Sequence, residues 1–178
     1  MRLFWVHGYD GTSIADLTEA MGITPQSLYS AFGSKSGLYQ RALLRYGETA
    51  GSGRMKALAL PHAIDSLVAL LSAMADQFSR RTFPHGCMIS TGELRTSESP
   101  LAEQLSGIRT ASLRMIEGKL RDGVRAGEVR PDVDVPSLAR FVSTVIQGLA
   151  VQAADGASRA ALRAVAGQAS TVLEAARG

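Results

Sequence analysis

Side chains with the reach and chemistry to act on another molecule fall in two places. One is a cluster of hydroxyl and amide groups, Thr24, Gln26, Ser27, Tyr29 and Ser30, followed by the cation of Lys35. Such groups donate and accept hydrogen bonds without titrating near neutrality, which suits binding rather than turnover. The other is Cys87, the sole cysteine, beside His85 and Gly86. A thiol at a helix start can be activated towards oxidants or electrophiles, whereas one packed among apolar neighbours is inert. Thiol-based redox or electrophile sensing, or an enzyme using Cys87, is therefore the alternative reading. His7, His62 and His85 lack metal-ligand spacing. Glu93, Glu98 and Glu103 are spaced as a solvated face rather than as a carboxylate pair. No catalytic residue, metal or cofactor is expected, and the chain is not read as an enzyme.

The first cluster needs an element to present it, and the sequence around it supplies one. Ser13 followed three residues later by Asp16 fits a capping box. Ile14, Leu17 and Met21 then place one apolar face on a helix. Gly22 is suited to end it in a left-handed conformation, and Ile23 plugs the turn. Thr24 caps a second helix with Pro25 at its first position, running to about Phe32. Leu28 and Phe32 face inward, leaving Gln26, Ser27, Tyr29 and Ser30 outside. Ser34 caps a third helix that starts at Lys35 and packs back through Leu38, Tyr39 and Leu43. This is the layout of a helix-turn-helix whose second helix enters the DNA major groove.

The run from Gly8 to Leu38, GYDGTSIADLTEAMGITPQSLYSAFGSKSGL, resembles the DNA-binding domain of the tetracycline-repressor-like (TetR/AcrR) transcriptional regulators. The likeness covers roughly the first fifty residues. It implies that Thr24, Gln26, Ser27 and Ser30 face the groove, with Gln26 the best candidate for a bidentate contact to adenine. It also implies phosphate contacts from Tyr29, Lys35, Thr12 and Ser13. Members carry a longer first helix with a basic arm; here Met1 to Trp5 reads as the second half of that helix, and preceding residues are expected to be missing. Leu3, Phe4 and Val6 are expected to pack.

Composition is that of a globular chain: 46% apolar and 20% charged, with a net charge of +3. Six basic residues stand against four acidic ones up to Lys56, and thirteen against twelve beyond it. That is no basic stripe of a non-specific DNA coater. No apolar run is long enough to span a bilayer, no signal peptide is evident, and a single cysteine allows no intrachain disulfide. No membrane partner and a cytoplasmic location are expected.

The fold class is therefore all-α: a DNA-binding domain over 1–50, with its first helix apparently truncated, and a helical regulatory and dimerisation domain over 51–178. After a joint at Gly51-Ser52-Gly53, helices are expected over 62–81, 87–96, 99–125, 134–154 and 158 onward. The last two are nearly uncharged, so they must be buried on more than one side. Packing against a second copy about a two-fold achieves that, with Val142, Val145, Ile146, Leu149, Val165, Ala169 and Val172 as the candidate interface. The resemblance implies the same four-helix dimer bundle, hence a homodimer reading a palindromic operator. It further implies a small-molecule effector that releases a repressor from its operator, with Met74, Phe78, Met88, Met115, Phe141 and Gln147 as candidate pocket residues.

Overall fold

The computed structural model describes residues 1–50, 52–91 and 99–178. Nine helices are present among them: α1 (Arg2–His7), α2 (Ile14–Met21), α3 (Pro25–Phe32), α4 (Lys35–Ala50), α5 (Ser52–Leu58), α6 (Ala63–Phe78), α7 (Ser99–Arg125), α8 (Val135–Ala154) and α9 (Arg159–Glu174). An isolated antiparallel bridge joins Val129 to Arg177. None of these helices is long and apolar enough to cross a membrane.

Local chemistry sets most helix starts. Ser13 Oγ accepts from the Asp16 N–H while the Asp16 carboxylate accepts from the Ser13 N–H, closing the capping box. Thr24 caps α3, Asp134 caps α8 and Ser158 caps α9, each through a backbone N–H three residues on. One start is set at long range. The Ala63 N–H donates to Glu128 Oε2 at 2.8 Å, and His62 Nδ1 lies 2.7 Å from Glu128 Oε1. A carboxylate from beyond α7 thus caps α6, and these bonds hold it below its ordinary pKa. This is why α6 begins at Ala63; at its other end it stops at Phe78, short of the expected 81.

The expected helix from Cys87 to Thr96 is replaced, over its described part, by a single turn. The Thr91 N–H and hydroxyl both return to the Cys87 carbonyl, at 3.2 and 2.8 Å. Residues 92–98 lie outside the described residues. Cys87 is consequently not at a helix start. The expected joint at 51–53 lies partly on the undescribed Gly51, and α5 begins straight after it at Ser52.

α6 is the central rod. It packs against α5, α7, α8 and α9 and buries Ile64, Leu67, Leu70, Leu71, Met74 and Phe78. α7 comes so close that a Cβ on Gly123 would meet the Ala63 Cβ at 2.6 Å. Asp76 of α6 ties down α9 through Arg163, at 2.6 Å to each carboxylate oxygen, and Arg159 at 2.9 Å.

The first three helices close on α4. Phe4, Trp5, Leu17, Leu28, Leu38, Tyr39 and Leu43 share one apolar cluster. In α1 the structure buries Trp5 where Val6 was expected; Val6 points outward, because six residues leave one face to cover. Met21 is likewise exposed, as Gly22 turns the chain away at that point.

Candidate functional site

Gly22 has φ 65° and ψ 34°, and Ile23 returns its N–H to the Thr18 carbonyl at 3.1 Å. This left-handed end reverses the chain within three residues, so that α3 begins at Pro25. Leu28 is fully buried beneath α3 and Phe32 half-buried. The opposite face presents Gln26, Ser27, Tyr29 and Ser30 to solvent, with Thr24 at its N-terminus. Tyr29 is 47% exposed, which removes it from the core and leaves its hydroxyl free to approach another molecule. The Thr24 and Ser27 hydroxyls lie 3.0 Å apart, fixing both at the leading end of the helix.

Lys35 opens α4 beside this face. Its ammonium sits 4.3 Å from the centroid of the Tyr9 ring, a cation–π contact that holds it in place while half-exposed. Ser13 is exposed at the start of α2. Thr12 is not. It is fully buried, and its hydroxyl donates to the Gly8 carbonyl at 2.7 Å. Its expected phosphate contact gives way to a structural role, because the turn before α2 needs a partner for that carbonyl.

A second feature lies behind the first, along α4. A cavity of about 320 Å³ is walled by Leu43, Tyr46 and Gly47 of α4, Met74, Gln77 and Phe78 of α6, residues of α5 and α7, and Ser143, Ile146 and Gln147 of α8. Of the expected pocket residues, Met74, Phe78, Met115 and Gln147 line it. Gln147 Nε2 donates to Ser143 Oγ at 3.2 Å. Met88 is buried in the core outside this lining, since the turn at 87–91 points it inward. Phe141 faces outward into a shallow surface hollow with Leu138 and Val172. It faces solvent rather than the cavity, which periodicity alone could not distinguish.

Sequence reasoning missed Tyr46, Gln77 and Arg109 as cavity residues. Gln77 had a readable signal, a lone amide among the apolar positions of α6. Tyr46 and Arg109 had none, because only packing brings their helices to this space. Cys87 also lines the cavity, nearly buried, and its sulfur accepts from the Tyr46 hydroxyl at 3.1 Å. Burial raises the Tyr46 pKa well above its ordinary value, with Cys87 adding to it.

The expected dimer face divides in two. Val142, Leu149 and Ala169 are buried within the protomer, packed in its core. Val145 and Ile146 are half-buried, the latter at the cavity. Val165 and Val172 of α9 stay exposed, as do Phe141 and Val151 of α8. Phe141 and Val172 share one surface hollow, and all four stay exposed in the protomer.

An outward-facing recognition helix on a three-helix head, joined by α4 to a cavity-bearing helical body, is the arrangement of a helix-turn-helix regulator. The comparisons agree. The model for bacterial regulatory proteins of the tetR family matches residues 1–42, and that for the tetracyclin repressor-like C-terminal domain matches residues 63–169. The chain belongs to the tetR family. It is 33% identical over 171 residues to the HTH-type transcriptional repressor ComR of Escherichia coli K12, covering 94% of this chain and 81% of that protein. It is 32% identical to the repressor BdcR of the same organism, covering 97% and 86%. Among solved structures, a cysteine mutant of the TetR family regulator CifR, complexed with 26-base-pair operator DNA, superposes with a TM-score of 0.89 at 39% identity, covering 96% and 91%.

Proposed function

We propose that this protein is a sequence-specific repressor that binds a palindromic operator as a homodimer and leaves it when a small molecule fills the cavity. The carrying observation is that one helix serves both ends: α4 opens with Lys35 beside the recognition face and walls the cavity with Leu43, Tyr46 and Gly47. Gln26 reads a base edge, Thr24, Ser27 and Ser30 line the groove, and Tyr29, Lys35 and Ser13 bind phosphate. One α3 touches too few bases for a unique site, so two copies about a two-fold read two half-sites. The exposed side chains of Phe141, Val151, Val165 and Val172 serve as their interface.

The effector must bind the released arrangement more tightly than the operator-bound one, since a ligand shifts an equilibrium only by its differential affinity. Tyr46 is placed to transmit it. Its ring meets Trp5 of α1 edge-on at 4.7 Å while its hydroxyl reaches the cavity wall. Footprinting on the DNA upstream of the protein's own coding region tests the reading. A protected palindrome is expected; no specific protection at any candidate operator overturns it.

A further inference from the structure

The cavity wall is uneven in its exposure. Leu70, Met74 and Phe78 of α6 are buried where they line it. Leu44 of α4, Met55 of α5 and Met115 of α7 line it too, yet stay 63%, 58% and 41% exposed. The exposed lining residues stand on α4, α5 and α7, so the cavity opens to solvent on that side. Large apolar side chains both within and around the opening suit a ligand that is apolar along most of its length.

Next to Met55 in the chain, Arg54 is half-buried and lines the same cavity. Its Nη1 donates to Ser112 Oγ at 3.2 Å, and the Ser112 hydroxyl donates in turn to the Ile108 carbonyl at 3.0 Å. Ser112 thus commits its proton within α7 and holds the guanidinium through a lone pair. That bond uses one of the five N–H groups of a guanidinium. Among the described residues, Arg54 has no carboxylate partner, and no Asp or Glu lines the cavity. Arg109 lines it as well but is already engaged, donating to the Ile89 carbonyl. A guanidinium is always charged, planar and weakly hydrated, and its fork fits a carboxylate through two parallel N–H bonds. Partly desolvated and anchored at one nitrogen, Arg54 keeps the rest of that fork for such a group.

Resting on the effector reading above, we infer that the cavity binds an aliphatic carboxylic acid in its anionic form. The carboxylate pairs with Arg54, and the hydrocarbon chain lies against Leu70, Met74 and Phe78. Apolar burial supplies affinity without direction. Arg54 supplies the charged contact that orients the chain and disfavours a cationic head.

The full chain is titrated calorimetrically with three compounds of equal chain length: octanoate, 1-octanol and octylammonium. Octanoate is expected to bind at least about tenfold more tightly than 1-octanol, the gain from a hydrogen bond to a charged group, with octylammonium weakest. Arg54→Gln is expected to erase the preference for octanoate and leave 1-octanol binding unchanged. Arg54→Lys, which keeps the charge without the fork, is expected to weaken octanoate severalfold, and it decides the role of Arg54 if Arg54→Gln does not fold. Equal or tighter binding of 1-octanol or octylammonium, no binding of any of the three, or an octanoate preference that survives in the folded variants overturns the inference. Operator release is read separately by fluorescence anisotropy on the same protein. Selective octanoate binding without release at any concentration removes the effector reading and leaves the ligand class standing.

Discussion

The Tyr46 hydroxyl donates to the sulfur of Cys87 across 3.1 Å, joining α4 to the turn that follows α6. Phe83, in the segment between, stacks on Trp5 at 5.8 Å, and Trp5 in turn meets the Tyr46 ring. These contacts link α1, α4 and the cavity wall. Tyr46→Phe removes the donor and leaves the thiol and the Gln77 amide nitrogen without their partner. Stability is expected to fall by about 1–2 kcal/mol, measured by urea unfolding, with ligand-free operator affinity changed by no more than a few-fold. Unchanged stability would show that the bond contributes nothing.

At the recognition face, two substitutions separate reading from anchoring. Gln26→Ala is expected to relax base preference at one position of each half-site, losing about 1–3 kcal/mol of discrimination. Lys35→Ala is expected to weaken binding to all sequences alike and reduce the salt slope by about one. Competition binding against a library of single-base operator variants, repeated at two salt concentrations, distinguishes them. Identical profiles for the two variants would refute this division of roles.

The exposed apolar residues of α8 and α9 make a prediction about assembly. Val165 is half-exposed in the protomer, so Val165→Arg is expected to give folded monomers by sedimentation velocity, with unchanged helicity. Leu149 is buried, and Leu149→Ala should instead cost about 2–5 kcal/mol of folding stability. A stable Val165→Arg dimer would move the interface off α9.

The Asp76 ion pairs carry a pH signature. Arg163 and then Arg159 hold the Asp76 carboxyl well below its ordinary value of 3.8. A depressed folded-state pKa contributes stability that is present above that ordinary value and lost as the pH falls through the folded one. The carboxylate is partly solvated, so the loss in Asp76→Asn at pH 7 is expected to be at most about 1 kcal/mol. Below pH 4 the gap between wild type and variant should narrow. A gap that widens on acidification would mean that the arginines do not lower this pKa.

The sequence by itself determined the helices of the head, their caps and the outward face of α3. Capping by Ser13, Thr24, Asp134 and Ser158 depends on groups three residues apart, and Gly22 on its own backbone freedom, so local order sufficed. Tertiary structure alone decided what each apolar stripe packs against. Periodicity marks Val142, Leu149, Val165 and Val172 alike as apolar, yet the first two fill the protomer and the last two face out. Burial depends on which helix lies opposite, and that is a property of the whole chain. For the same reason Thr12 disappeared from the DNA-facing set, Glu128 emerged as the cap of a helix sixty-five residues away, and Tyr46, Gln77 and Cys87 met at one cavity. Contacts of that separation leave no periodic trace in the sequence.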